Sequence, residues 1–209
     1  MTAGSTAKIR AWPVTRRITY DLSTQPEKLP VAQDLPTFRL HPNVYQLDLF
    51  AREVGTCSCC GQLRDWTYRG PFYAIHKPDY LGPWCIADGS AARRYEGQFN
   101  DELGVEGWEP DPSVPSVTMD TLLLAEVCDR TPGYTAWQQP AWLTHGEQPC
   151  AFIAYTGYRE IEKLREELAG DLQDLSPAYV QALSADDNPT GYLFRCVQCG
   201  THRLHTDGT

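Results

Sequence analysis

Two Cys-x-x-Cys-Gly turns constrain the fold of this chain more than any other feature of its sequence. Residues 57–61 read Cys-Ser-Cys-Cys-Gly, and residues 196–200 read Cys-Val-Gln-Cys-Gly. Two thiolates three positions apart can both bind one ion, and the glycine permits the positive φ of such a turn. One turn supplies only two of the four ligands of a tetrahedral zinc site. The fold must therefore bring further ligands to these turns.

Other cysteines and histidines are available to complete the sites. The candidate metal ligands are Cys57, Cys59, Cys60, Cys85, Cys196, Cys199 and His202, with His76 and His205 as further histidines in the same regions. Cys128 ends a predicted helix and Cys150 begins a predicted strand, and both are interpreted as small buried residues without a metal role. We expect zinc as a structural cofactor, as one ion or two.

The ligands can be assembled in two ways, and the sequence leaves both open. In the first, Cys57 and Cys60 bind an ion with Cys85 and a fourth ligand, which is either Cys59 or His76. The turn at residues 196–199 then forms a separate site, which one of the nearby histidines can complete. In the second, the two turns share a single ion and make a four-cysteine site.

Charge and cysteine usage exclude several classes of protein. The 209 residues carry a net charge of −9, which argues against a nucleic-acid binder and permits a basic partner. Eight cysteines in a chain of this length are too sparse for a disulfide scaffold and suit a reducing compartment. No apolar run predicts a signal peptide or a membrane span. We expect a cytoplasmic protein.

Residues 1–33 differ from the rest of the chain. Five basic and two acidic side chains give this segment a charge of +3, which leaves −12 for the remainder. Prolines break any regular element there, so it is predicted to be an N-terminal arm, partly extended. Residues 34–209 are predicted to form one zinc-binding domain.

The predicted fold is α+β, with short β-hairpins that carry zinc knuckles and pack against three or four helices. A hairpin is expected from residues 65–68 and 72–75 around Arg69-Gly70-Pro71, and a second around the turn at 196–200. Residues 150–155 read as a buried strand. Helices are predicted at about residues 90–99, 119–129, 157–169 and 177–183.

Residues 137–145 contain a dense cluster of aromatic and polar side chains. Trp137, Trp142 and His145 can line a pocket for a small molecule, or the two tryptophans can pack into the core. The motifs of zinc proteases, phosphate-binding loops, serine hydrolases and zinc deaminases are absent from the sequence. No catalytic residue is assigned.

Several motifs in fixed order resemble the CbrC family of colicin tolerance proteins. They are Asp34 to Phe38, the turn at 57–61, Pro83 to Ala91, Arg130 to Tyr134, Trp137-Gln138 and Tyr192 to Cys196. In that family's pattern a cysteine precedes Pro-Trp-Cys, where this chain has Gly82, and His-Cys stands where it has His145-Gly146. The resemblance favours two separate sites, whereas these departures favour the shared one.

The sequence leads to two hypotheses about function. The resemblance implies an interaction protein that confers tolerance or immunity towards a protein toxin, such as a nuclease colicin, and the acidic body suits a basic toxin. The alternative is a zinc-supported enzyme with a pocket around Trp137, Trp142 and His145. A deep pocket with a bound metabolite would favour the enzyme, and a flat acidic patch would favour the interaction protein.

Overall fold

The computed structural model describes residues 34–111 and 119–208, all within the unit Ala32–Thr209. Over these ranges the fold is α+β, as predicted, with two antiparallel sheets and six short helices. The predicted arm at residues 1–33 lies outside the described residues. Within these ranges no helix is both long enough and apolar enough to cross a membrane.

The elements are short and follow one another closely. The strands are β1 (Phe50–Thr56), β2 (Leu63–Tyr68), β3 (Thr144–His145), β4 (Gln148–Thr156), β5 (Thr190–Cys196) and β6 (His202–Asp207). The helices are α1 (Pro83–Ala87), α2 (Ser90–Tyr95), α3 (Thr121–Arg130), α4 (Tyr158–Lys163), α5 (Ala169–Leu172) and α6 (Pro177–Ala182), with a 3-10 turn at Glu102–Gly104.

The first cysteine turn connects β1 to β2, which form a two-stranded antiparallel sheet. The predicted hairpin of residues 65–68 and 72–75 was wrong. Residues 72–75 form no strand, and Tyr73 makes only an isolated bridge with Gln98. The cysteine turn itself reverses the chain, so β2 pairs with the strand before the turn. Pro71, which lacks an N–H, follows the end of β2.

The second sheet has the strand order β3-β4-β5-β6, and the second cysteine turn connects β5 to β6 as predicted. Cys150 at the start of β4 pairs with Cys196 at the end of β5. The β3–β4 turn and the β5–β6 turn therefore lie at the same end of the sheet. This register decides which side chains meet at the second cysteine turn.

The helices lie near their predicted positions, but some of their ends differ from the prediction. In α3, which Asp120 caps by accepting from the Leu122 N–H, Leu124 and Val127 are buried. Leu122, in the first turn of this helix, is 75% exposed. The single helix predicted at 157–169 ends at Lys163, because Leu164 leaves the helical region with φ −113°. Ser176 caps α6 as predicted.

Each sheet has its own hydrophobic core. Phe50, Phe72 and Phe99 belong to the core beside β1 and β2, together with Cys57 and Cys85. Tyr134, stacked on Phe152 with ring centroids 4.5 Å apart, belongs to the core beside the second sheet, which includes Cys150 and Cys196. Both cysteine turns are therefore anchored in packed cores.

Candidate metal centres

Site 1 consists of Cys57, Cys60 and Cys85, whose sulfur atoms all lie within 4.8 Å of one another. The first two come from the β1–β2 turn, and Cys85 comes from α1. Gly61 ends the turn with φ 71°, and its N–H donates to the Cys57 carbonyl at 2.7 Å. Helix α1 begins directly after Gly82, so the Pro-Trp-Cys sequence places Cys85 in its first turn.

The sulfur spacing in site 1 fits a tetrahedral zinc ion. A Zn–S bond of about 2.3 Å places two sulfurs of such a site about 3.8 Å apart. The Sγ atoms of Cys57 and Cys85 are 3.8 Å apart. A disulfide bond would require about 2.05 Å, and both cysteines are free thiols. The three thiols therefore have the chemistry and the spacing to hold a zinc ion.

Polar groups around site 1 form hydrogen bonds with its cysteine sulfurs, and such bonds favour the thiolate form. The Gly82 N–H donates to Cys57 Sγ at 3.4 Å. Burial alone would raise the pKa of Cys60. Hydrogen bonds with the Gln62 backbone, the neighbouring thiols and Arg64 outweigh burial, so this pKa is lowered. The Arg64 guanidinium also lies 4.4 Å from the Trp84 ring, which fixes it beside the site.

Site 2 consists of His145, Cys196 and Cys199, whose ligand atoms also lie within 4.8 Å of one another. The two cysteines come from the β5–β6 turn, and His145 comes from the end of β3. The turn repeats the design of the first: Gly200 has φ 83°, and its N–H donates to the Cys196 carbonyl at 3.0 Å. The two turns also share a hydrogen bond from the first cysteine's N–H to the carbonyl five residues later.

The spacing in site 2 fits zinc as well. With Zn–N of about 2.0 Å and Zn–S of about 2.3 Å, tetrahedral geometry places N and S roughly 3.5 Å apart. His145 Nδ1 lies 3.4 Å from Cys199 Sγ. The Thr201 hydroxyl and backbone lower the pKa of Cys199 to about 7, with a smaller contribution from Cys196. Cys199 is exposed and Cys196 is buried, so site 2 opens to solvent on one side.

A partly exposed network of charged side chains holds β3 in place. Arg203 on β6 donates to both carboxylate oxygens of Glu106, at 3.1 and 3.2 Å, to Asp171 and to the Thr144 carbonyl. Glu106 in turn accepts from the Thr144 N–H at 2.7 Å. Because Thr144 precedes His145, this network positions the histidine ligand of site 2.

The remaining candidate ligands are not part of these two three-residue groups. Cys59 is buried beside site 1, where its thiol interacts with that of Cys85 and faces Ser90 Oγ at 3.6 Å. His202 pairs with Glu167, with Nδ1 3.0 Å from a carboxylate oxygen. His76 is exposed, and His205 stacks on Tyr192. Among the described residues, each site thus has three protein ligands from the His, Cys, Asp and Glu side chains.

The residues of the predicted aromatic pocket do not line one cavity. Trp142 is 2% exposed and donates from its indole to the Cys150 carbonyl, whereas Trp137 is 52% exposed on another surface. His145 belongs to site 2. Cys128 and Cys150 are buried outside both sites.

The sequence did not identify His145 as a candidate metal ligand. It lies 51 positions before Cys196, so no local spacing links the two. Only the pairing of β4 with β5 brings the β3–β4 turn beside the second cysteine turn. A histidine immediately before a glycine turn and a buried strand is a weak signal that could have suggested this role.

Comparison with known proteins decides the family. Residues 35–208 match the model of a family described as "Uncharacterised protein family (UPF0167)". The chain belongs to the UPF0167 family. It is 40% identical over 184 residues to UPF0167 protein PA1536 of Pseudomonas aeruginosa, which covers 84% of this chain and 98% of that protein.

Two mycobacterial relatives give the same result. UPF0167 protein Mb2317 of Mycobacterium bovis and UPF0167 protein MT2352 of Mycobacterium tuberculosis are each 35% identical over 191 residues, which is 87% of this chain and 97% of each relative. No solved structure matches the chain significantly.

The resemblance to the CbrC family was wrong, because the family match and these relatives carry the UPF0167 name and none carries a colicin tolerance name. The expected tolerance or immunity towards a protein toxin depended on that resemblance. It therefore has no support from the comparisons.

Proposed function

We propose that this chain is a zinc-stabilised binding protein, which acts through a protein partner and not through catalysis. The observation that carries the proposal is the position of the two sites. Each three-ligand group joins the turn of a β-hairpin to a separate element, α1 for site 1 and β3 for site 2. Zinc at these positions cross-links the short elements and makes their surfaces rigid.

Structural zinc compensates for the small size of the first sheet. A two-stranded hairpin is marginally stable by itself in water, and thiolate zinc adds on the order of 10 kcal/mol of apparent binding free energy in small sites. In this protein the residues of site 1 would tie the β1–β2 hairpin to α1. The eight free cysteines also suit a reducing compartment, and we place the protein in the cytoplasm.

The charge of the chain favours a basic partner. The net charge of −9 supplies long-range attraction to a positively charged surface, which raises association rates and adds specificity. The charge favours a basic surface on the partner and does not identify the partner as a toxin. Rigid hairpins on an acidic body suit a role in recognition.

A zinc enzyme is the second candidate, and the ligand count of site 2 favours it. Catalytic zinc sites keep three protein ligands and an open position, and His145 and Cys199 are both exposed. Against this candidate, no carboxylate among the described residues hydrogen bonds to a site 2 ligand.

Affinity capture with the immobilised full chain tests the proposal, using zinc-loaded and chelator-stripped protein side by side. We expect a basic protein to bind only the zinc-loaded form. The association rate of the purified pair should fall as salt rises, since exposed charges lose their reach beyond a Debye length of about 8 Å at physiological ionic strength. Equal capture by both forms would show that recognition does not need the zinc sites and would overturn the proposal. Turnover of a small molecule that His145→Ala abolishes would favour the enzyme.

A further inference from the structure

A groove with a volume of about 460 Å³ borders site 2 on the outer face of the second sheet. This volume falls within the range of about 300–1,000 Å³ that is typical of ligand-binding clefts. Two of the site 2 ligands, Cys196 and Cys199, line the groove. Site 2 therefore borders the groove, with Cys199 as its exposed cysteine.

Arg195 supplies a positive charge at the same place. It lines the groove, and its Nε donates to the Gly200 carbonyl at 3.2 Å, which lays the guanidinium across the cysteine turn. Within the described ranges its terminal nitrogens make no hydrogen bond and the side chain forms no salt bridge, although its charge contributes to the lowered pKa of Glu167. A guanidinium with free donors matches a carboxylate, which it can bind through two parallel hydrogen bonds.

The rest of the groove is suited to an aliphatic group and a peptide backbone. Ala151 pairs with Arg195 across β4 and β5, so their side chains share a face of the sheet, and Ile153, at an irregularity in this pairing, also lines the groove. Pro42 extends this apolar floor. Gln198, which is exposed at the edge of the groove, offers an amide donor and acceptor to a backbone.

We infer that this groove binds the C-terminal carboxylate of a protein partner whose last residue is aliphatic. One carboxylate oxygen would complete the coordination of the ion held by site 2, and the guanidinium of Arg195 would hold the carboxylate by hydrogen bonds. Ala151 and Ile153 would contact the last side chain. The inference rests on the proposed function, because it requires a metal ion at site 2.

The test measures binding of two peptides to the full zinc-loaded chain by calorimetry. Both are short acetylated peptides that end in leucine, one with a free C-terminal carboxylate and one with a C-terminal amide. We expect binding of the free acid and at least about tenfold weaker binding of the amide, since the amide carries no charge and cannot replace the carboxylate on the metal. In cobalt-substituted protein, the free acid alone should change the visible d–d spectrum.

Variants separate the contributions of the groove. Arg195→Gln should weaken binding of the free acid by about tenfold or more, and Arg195→Lys should fall between this variant and the unchanged protein because it keeps the charge but loses the planar fork. Arg52→Gln is the matched control, since it removes an exposed arginine from the other sheet and should leave binding unchanged. His145→Ala should abolish binding together with the metal of site 2.

The outcomes distinguish this inference from the proposed function. If both sites hold zinc but the acid and the amide bind equally or not at all, the inference is wrong and the zinc sites stand. If isovalerate binds as tightly as the peptide, the partner is not a protein C-terminus. If site 2 takes up no metal, the proposed function fails for that site, and the inference fails with it.

Discussion

The two buried cysteines outside the metal sites differ chemically from the exposed cysteine of site 2. Burial raises the pKa of Cys128 and of Cys150 to about 12, so both stay protonated at neutral pH, whereas the pKa of the exposed Cys199 is about 7. Only the thiolate binds metal. Cys85 is the exception, because burial raises its pKa while its position assigns it to site 1. Its proton would leave only when a cation binds.

A buried histidine makes stability depend on pH. His41 is fully buried, its Nδ1 lies 2.7 Å from the Pro132 carbonyl, and its ring packs edge-on against Phe152. Burial lowers the pKa of His41 to about 4, although the hydrogen bond to Pro132 opposes this shift. The unfolded chain, with a pKa of about 6.5, therefore binds this proton at higher pH than the folded protein does.

We predict that the stability supplied by neutral His41 is present above about pH 6.5 and is lost as the pH falls towards 4. Between pH 7.5 and 5.5 the loss should be about 1 kcal/mol. Urea unfolding at several pH values measures it. His41→Gln should remove this part of the slope, whereas His76→Gln, at an exposed histidine, should not. Equal slopes in all three proteins would contradict the assignment.

At the scale of elements, the cysteine turns depend on a left-handed residue. Gly61 has φ 71°, and a Cβ atom added to it would have no other atom within 4 Å. The backbone conformation, and not steric crowding, therefore disfavours other residues. We predict that Gly61→Ala destabilises the protein by about 1–2 kcal/mol. Gly170→Ala is the matched control, because Gly170 also has open space but lies within α5 without a positive φ. It should stabilise the protein by up to about 1 kcal/mol. Similar thermal shifts for both variants would show that the turn does not demand glycine.

The ion network of β6 should control the metal affinity of site 2. We predict that Arg203→Gln weakens zinc binding at site 2 by about 10-fold to 100-fold. Residues that do not touch the metal still orient its ligands, and Arg203 holds the strand that carries His145. Zinc binding at site 1 should be unchanged. Competition with a colorimetric chelator measures both. Arg69→Gln, which breaks an exposed pair with Glu53, is the control. A loss of affinity at both sites would point to general destabilisation.

The sequence was sufficient to predict what depends on local chemistry. Both cysteine turns, the cap at Ser176, and the hairpin of β5 and β6 follow from residues that are close in the chain. The first hairpin was misplaced because residues 72–75 have strand propensity, and propensity does not select a partner.

Pairing between distant strands was not predictable from the sequence. His145 reaches Cys199 only through the register of β4 against β5, which depends on the alternation of buried side chains along both strands and on the packing of Tyr134 against Phe152. The same limit applied to Cys59, which lies next to a ligand in sequence but points to Ser90. The direction of a side chain within a turn is decided by the tertiary fold.

At the scale of the whole molecule, the two sites belong to different cores and have different exposure. Cys57 and Cys85 lie in the core of the first sheet, and Cys196 lies in the core of the second. Removing one ion should therefore affect the elements around it and leave the other site occupied. A single shared ion would couple the two sheets and would be lost as a unit.

The most direct test of two separate sites is the zinc content of the purified protein, measured by mass spectrometry for the unchanged chain and for Cys85→Ser and His145→Ala. If the two sites are separate, the unchanged protein should hold two zinc ions per chain and each variant should hold one. The double variant should bind none. One ion in the unchanged protein, retained in both variants, would contradict two separate sites and favour the four-cysteine site shared by the two turns, because neither Cys85 nor His145 is one of its ligands.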